Sequence, residues 1–195
     1  TTARLIGALV LGAFTSAPSW ADGIRFEPYT FEARNGEKGQ AEKGVFEVPE
    51  NRSKPRGRML KLAFVRFAAS GTSRGPPIVY LAGGPGGSGV DAARGRRFPL
   101  FMALREVGDV IAFDQRGTGW SNAFPPCDVA NHSGQSLTRD MIVTHTRRIM
   151  ADCAAFWRER GIDLAGYNTD ESAEDVEGLR RLLGVEKVSL LGISY

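Results

Sequence analysis

Cysteine and histidine are scarce in this sequence. It contains two cysteines, Cys127 and Cys153, and two histidines, His132 and His145. Their spacing matches no zinc pattern, so the sequence gives no ground for a metal centre. Charge of one sign is in short supply as well, since 25 basic residues against 22 acidic ones leave a formal +3. With no basic stripe beside it, that small surplus argues against a nucleic-acid partner. The densest basic cluster, Arg94, Arg96 and Arg97, reads first as a solvated turn, with anion binding as the alternative. Internal repeats and low-complexity tracts are absent from the sequence, and beyond the first twenty-odd residues no stretch is apolar enough to anchor in a membrane.

What is there has an ordinary globular make-up. Over 195 residues, 42% are hydrophobic and 24% charged, enough for one core. The first residues stand apart: Arg4, then the apolar stretch Leu5 to Phe14, then small residues leading to Ser19-Trp20-Ala21. This pattern fits a signal peptide over 1–21, cleaved after Ala21, and the run is too short to span a bilayer. Residues 22–195 then form the mature portion, expected to be secreted or periplasmic. No Met precedes Thr1, so the start is expected to be incomplete. An exported chain meets an oxidising compartment, which makes Cys127 and Cys153 candidates for one disulfide. Closing a loop of that length contributes about 3 to 4 kcal/mol in the chain-entropy model. His145 recurs with Ile142, Ile149, Cys153 and Phe156 at helical intervals, the position of a half-buried helix residue.

The periodicity predicts an α/β architecture. Gly44 to Val48 and Arg58 to Ala68 read as two strands, with "PENRSKPRG" as the turn between them. Three short apolar runs follow, Ile78 to Leu81, Val110 to Phe113 and Val188 to Leu191. They do not alternate, as expected of strands buried on both faces of a parallel sheet. Two helices are predicted before the last run, one over about 137–160. The second is capped by Thr169, carries Asp170 and Glu171 in its first turn, and ends at Gly184. Its apolar stripe is Ala173, Val176, Leu179, Leu182 and Leu183. A mostly parallel sheet opening with an antiparallel hairpin is the expected fold.

Three stretches carry chemistry. After the first buried run comes "AGGPGGSG", Ala82 to Gly89, whose glycines make sense where backbone turns sharply or approaches a ligand closely. It formally matches the dinucleotide fingerprint, yet Gly95 and Pro99 interrupt the helix that should follow, and Pro85 removes a backbone donor. No Lys-Ser or Lys-Thr closes it as a phosphate loop. An oxyanion hole fits better, because two backbone N–H groups fixed in advance stabilise the charge that develops when a serine attacks a carbonyl. The second stretch, "DVIAFDQRGTGWS", holds Asp114 and Arg116, read as anchors of the turn through hydrogen bonds and a salt bridge. The third, "VSLLGISY", ends the sequence on four fifths of G-x-S-x-G, the strand-to-helix turn that presents a nucleophilic serine.

In order and spacing, "YLAGGPGGSG", "IAFDQRGTGWS" and "DLAGYNTDESAEDVEGLRRLLGVEKVSLLGISY" resemble the secreted α/β-hydrolases of the tripeptidyl aminopeptidase and prolyl aminopeptidase group. The resemblance runs from about Gly44 onward. It implies an exopeptidase-like serine hydrolase without metal or organic cofactor, acting on the amino-terminal end of peptides, so that the expected partner is a peptide or small acyl substrate. Ser194 matches the nucleophile; Gly84 and the Tyr195 N–H match the oxyanion donors. Ala82 departs from the prolyl aminopeptidase form, which has His there, and this leans toward the tripeptidyl type. In this fold the triad runs Ser, then Asp or Glu, then His, whereas both histidines here precede Ser194. The sequence is therefore expected to be an N-terminal portion that stops inside its elbow and is inactive alone. An esterase-like hydrolase and a non-catalytic binding protein on the same scaffold remain as alternatives.

Overall fold

Alternation along the strands assigns each side chain to one of two cores. The structure is a computed structural model and describes residues 23–72, 75–121, 124–127 and 138–194. The expected signal peptide, His132 and Tyr195 lie outside the described residues. The strands are β1 (Arg25–Glu32), β2 (Lys38–Pro49), β3 (Met59–Phe67), β4 (Ile78–Ala82), β5 (Val110–Phe113) and β6 (Ser189–Ile193). The α-helices are α1 (Gly89–Arg94), α2 (Phe98–Leu104), α3 (Arg139–Glu159) and α4 (Thr169–Leu182). One sheet runs β1-β2-β3-β5-β4-β6, antiparallel from β1 through β5 and parallel across β5, β4 and β6.

Val65, Phe67, Tyr80, Val110 and Ala112 face one side of this sheet, where Val90 and Ala93 of α1 and Phe98 and Phe101 of α2 cover them. Leu60, Leu62, Phe64, Val79, Ile111 and Phe113 face the other side, against Leu179, Val176 and Leu182 of α4. Two-residue periodicity thus builds a three-layer arrangement around a mixed sheet.

The expected hairpin is a three-stranded meander. β1 was not foreseen, because "RFEPYTFE" carries Pro28 and alternates exposed polar residues with aromatics; Pro is tolerated on such an edge strand. β6 differs as well. It pairs only with β4 among the described residues and leaves Leu190 61% exposed, so it is not buried on both faces. Gly95 and Pro99 do interrupt a helix, as read, but by dividing it: Gly95 caps α1, and Pro99 sits in the first turn of α2, where its missing N–H costs nothing.

α3 lies at the margin, with Cys153 its one buried residue and His145 half-buried as expected. Cys153 forms the disulfide with Cys127, Cα–Cα 5.7 Å. Trp157 Nε1 donates to the Pro125 carbonyl at 2.9 Å, so the Phe124–Cys127 segment is tied to the helix twice. No described helix is long and apolar enough to cross a membrane.

Gly44 shows how tightly the meander packs. It lies opposite Phe26 on β1 and Phe64 on β3, and a Cβ there would fall within the Phe64 ring. Phe26 meets Phe64 edge-on at 5.9 Å, covering the glycine. Gly44→Ala must displace this aromatic pair. The expected cost is about 1–3 kcal/mol, read as a lower urea midpoint with unchanged slope.

Candidate active site

The glycine loop and the serine turn meet because their strands are neighbours. β4 and β6 pair in parallel from Ile78↔Ser189 to Ala82↔Ile193, so both chains leave the sheet at the same height. β4 connects onward to β5 on one side while β6 lies on its other side, the kind of switch point outside strand ends where α/β sheets bind ligands. Ser194 follows β6 with φ +65°, the one non-glycine at positive φ among the described residues. Holding a serine there costs about 1–3 kcal/mol, a strain characteristic of functional turns.

A cavity of about 550 Å³ opens between the two turns, lined by Ala82, Gly83, Pro85, Gly86, Gly192 and Ser194. Gly84 is flanked by the lining residues Gly83 and Pro85 without itself lining the cavity. Its φ of +142° and the nearness of the Gly86 and Gly87 amides leave no room for a side chain. The loop closes on itself through Gly87 N–H to the Gly83 carbonyl at 3.0 Å, and Gln115 Nε2 donates to the Ala82 carbonyl at 3.2 Å.

Asp114 fixes the far end of the loop. Fully buried, it accepts from Ser88 Oγ at 2.7 Å, the Val90 N–H at 3.1 Å and the Trp120 N–H at 2.8 Å. Ser88 is also the N-cap of α1 and accepts from the Asp91 N–H. One carboxylate therefore holds the glycine loop, the start of α1 and the turn after β5 together, as expected of a buried charge that must be fully hydrogen-bonded.

Comparison with known proteins agrees with this arrangement. Residues 76–195 match the family model of the alpha/beta hydrolase fold. The chain belongs to the α/β-hydrolase family. It is 31% identical over 161 residues to Serine protease Hip1 of Mycobacterium tuberculosis, across 78% of this chain and 31% of that protein. To Tripeptidyl aminopeptidase of Streptomyces lividans it is 29% identical over 168 residues, covering 78% of this chain and 30% of the relative. The chain thus spans about a third of the length of these relatives.

Within this α/β-hydrolase, Arg116 is the anchor the sequence indicated, but its salt-bridge partner is Asp175 on α4. Nε and Nη2 donate to the two Asp175 oxygens, each at 2.7 Å, and Nη1 reaches the Glu50 and Gly166 carbonyls. Arg52 adds a second guanidinium to Asp175 at 2.7 Å and its backbone N–H bonds Glu171. Burial works against the Arg52 charge, but hydrogen bonds to Asp175 and Glu171 outweigh it and raise its pKa. Glu171 therefore does more than complement the helix dipole. The buried face of α4 is Glu171, Asp175 and Leu179, while Ala173, placed in the stripe by periodicity, is exposed. The cap is Asn168, which stands in extended conformation and accepts from the Glu171 N–H at 2.9 Å; Thr169 is the first helical residue.

Phe124 and Tyr167, rings 4.5 Å apart, supply an aromatic wall of the cavity that the sequence reading missed. Tyr167 Oη donates to Glu50 Oε1 at 2.8 Å. Burial first, and this hydrogen bond second, push the Tyr167 phenol above its ordinary value. Only the position of Tyr167-Asn168 ahead of a capped helix hinted at such a role, since Phe124 is brought in by the disulfide-tied segment. Tyr195 lies outside the described residues, so its N–H is not placed.

Two outcomes follow. Arg116 and Asp175 are each 1% exposed in their side chains, so Arg116→Met leaves the buried carboxylate to Arg52 alone and takes a donor from the Glu50 and Gly166 carbonyls; it is expected to cost about 3 kcal/mol in urea unfolding. The neutral Tyr167 form is the stabilised one; its contribution is whole below pH 10 and fades as pH rises through the higher folded value. A phenolate-absorbance titration of wild type minus Tyr167→Phe is expected to show ionisation only above pH 10.

Proposed function

We propose that this chain belongs to an exported serine hydrolase of the aminopeptidase type, with Ser194 as nucleophile. The observation that carries the reading is Ser194 at positive φ on the rim of a cavity whose opposite rim is the Gly83–Gly86 loop. A serine oxygen adding to a peptide carbonyl there forms a C–O bond as the C=O π bond opens and its oxygen gains charge; the C–N bond then breaks, the amine leaves with the serine's proton and the acyl group stays on the serine. Preset backbone N–H groups stabilise that charge by several kcal/mol. The family pattern assigns the donors to Gly84 and to the Tyr195 N–H; Gly83 and Pro85, on either side of Gly84, line the cavity.

A base must take the serine proton and a carboxylate must orient that base. His145 sits on α3 and does not line the cavity, and both histidines precede Ser194. In this proposal the base and its carboxylate come from outside residues 1–195, a span that corresponds to about a third of the relatives' length. The same holds for groups that would recognise a peptide α-ammonium, while the Phe124 and Tyr167 wall suits an apolar substrate side chain. Similarity to a tripeptidyl aminopeptidase favours a peptide over an ester. Export rests on the apolar stretch Leu5 to Phe14 and on a disulfide suited to an oxidising compartment.

In the full-length protein, Ser194→Ala is expected to lower kcat on a tripeptidyl anilide by roughly a million-fold. Acetylating the substrate's free amine is expected to abolish turnover of the wild type. Wild-type-like turnover by Ser194→Ala refutes the nucleophile, and unimpaired cleavage of the acetylated anilide refutes the aminopeptidase assignment. The polypeptide 1–195 on its own is expected to show no turnover of an aminoacyl anilide, and measurable turnover would contradict the assignment of the base elsewhere.

A further inference from the structure

A second cavity, of about 850 Å³, lies away from the serine turn and is lined by Arg34, Arg94, Arg96 and Arg97 with Asp91 as its one acidic residue. Arg34 comes from the turn between β1 and β2, at the sheet edge opposite β6. Its N–H donates to the Arg94 carbonyl at 2.8 Å, which brings it against the end of α1. Sixty residues of sequence separate it from the other three arginines, so the sequence shows a triplet where the fold makes a quartet.

Arginines of this protein often meet carboxylates, and seven of the ion pairs found among the described residues involve Arg52, Arg66, Arg116 or Arg180. None of the four arginines around this cavity is in such a pair. Arg94 is the most constrained of them. Its guanidinium carbon lies 5.8 Å from the Phe31 ring centre and 5.4 Å from that of Trp120, and Nη2 donates to Tyr29 Oη at 2.7 Å. Its Nε is buried without a hydrogen-bond partner. Tyr29 and the two rings hold this guanidinium in place without neutralising its charge.

We infer that this cavity binds a multivalent phosphate group. Four positive charges, Arg94 held by Tyr29 and the other three on exposed side chains, face one carboxylate and favour a polyanion over a single carboxylate, and planar guanidinium forks match phosphate oxygens in pairs. The volume exceeds what one inorganic phosphate fills and suits a polyphosphate chain or a phosphorylated headgroup. The site is independent of the hydrolase reading, since it shares no lining residue with the serine cavity.

The test uses the full-length protein and two probes at low ionic strength. Tripolyphosphate binding is measured by calorimetry, and lipid binding by sedimentation with phosphatidylcholine vesicles with and without cardiolipin, whose headgroup carries two phosphates. Arg96 and Arg97 are exposed, so the double variant Arg96→Ala, Arg97→Ala is expected to fold and to weaken binding by at least about tenfold. Arg94→Met is expected to do the same, and added salt to weaken the wild type. Arg147→Ala, Arg148→Ala on the exposed face of α3 serves as the control for non-specific attraction. Tripolyphosphate binding lost in the cluster variants but not the control supports a free polyphosphate ligand. The same pattern confined to cardiolipin vesicles supports a lipid headgroup. Absence of binding to both probes, or equal loss in the control variant, overturns the proposal.

Discussion

The site depends on one pairing, the parallel ladder between β4 and β6. Its register sets Ala82 beside Ile193, so that a loop encoded near residue 84 and a turn encoded near residue 194 leave the sheet together. A slip of one residue would reverse every side chain of β6 and shift its end relative to the loop. Leu191 and Ile193 packing beside Tyr80, on the α1 and α2 side, favours the register seen. The hundred-odd residues between the two turns serve that meeting: β5 inserts beside β4, and α4 covers the opposite face before the chain enters β6.

Two buried charges then convert proximity into a fixed shape. Asp114 gathers donors from the loop, from α1 and from the turn after β5. Arg116, two residues on, reaches the other way to α4 and to the carbonyls of Glu50 and Gly166. The first defines the glycine rim of the cavity; the second holds the segment carrying Tyr167 and Asn168. Both charges are hydrogen-bonded throughout, the condition for burying an ion without a large desolvation penalty. Their separation by one residue, Gln115, which bonds the Ala82 carbonyl, makes the turn after β5 the hub of the site.

Much of this was legible in the sequence where local pattern and tertiary role coincide. Short apolar runs became β4 and β5, "PENRSKPRG" became a turn between antiparallel strands, and three motifs in order pointed to the α/β-hydrolase family. The misses occur where distant residues decide. β1 draws its place from pairing with β2 despite a proline, and Ala173 fits an apolar stripe by spacing while α4 turns its carboxylates inward to meet Arg52 and Arg116. Asn168 rather than Thr169 caps α4 because its backbone is the one in extended conformation, a choice of one position that propensity does not resolve. Phe124 enters the cavity through a disulfide-tied segment, and the arginine quartet needs Arg34 from another strand pair; neither has a local signature.

In the proposed mechanism the loop and the serine turn face one acyl oxygen. A crystal structure of the full-length protein after reaction with a fluorophosphonate tests it most directly. The account predicts phosphorus bonded to Ser194 Oγ and the phosphonyl oxygen within about 3 Å of two backbone N–H groups, one from the glycine loop and one from Tyr195. An adduct on another residue, or a phosphonyl oxygen turned to solvent with both amides unengaged, would contradict it.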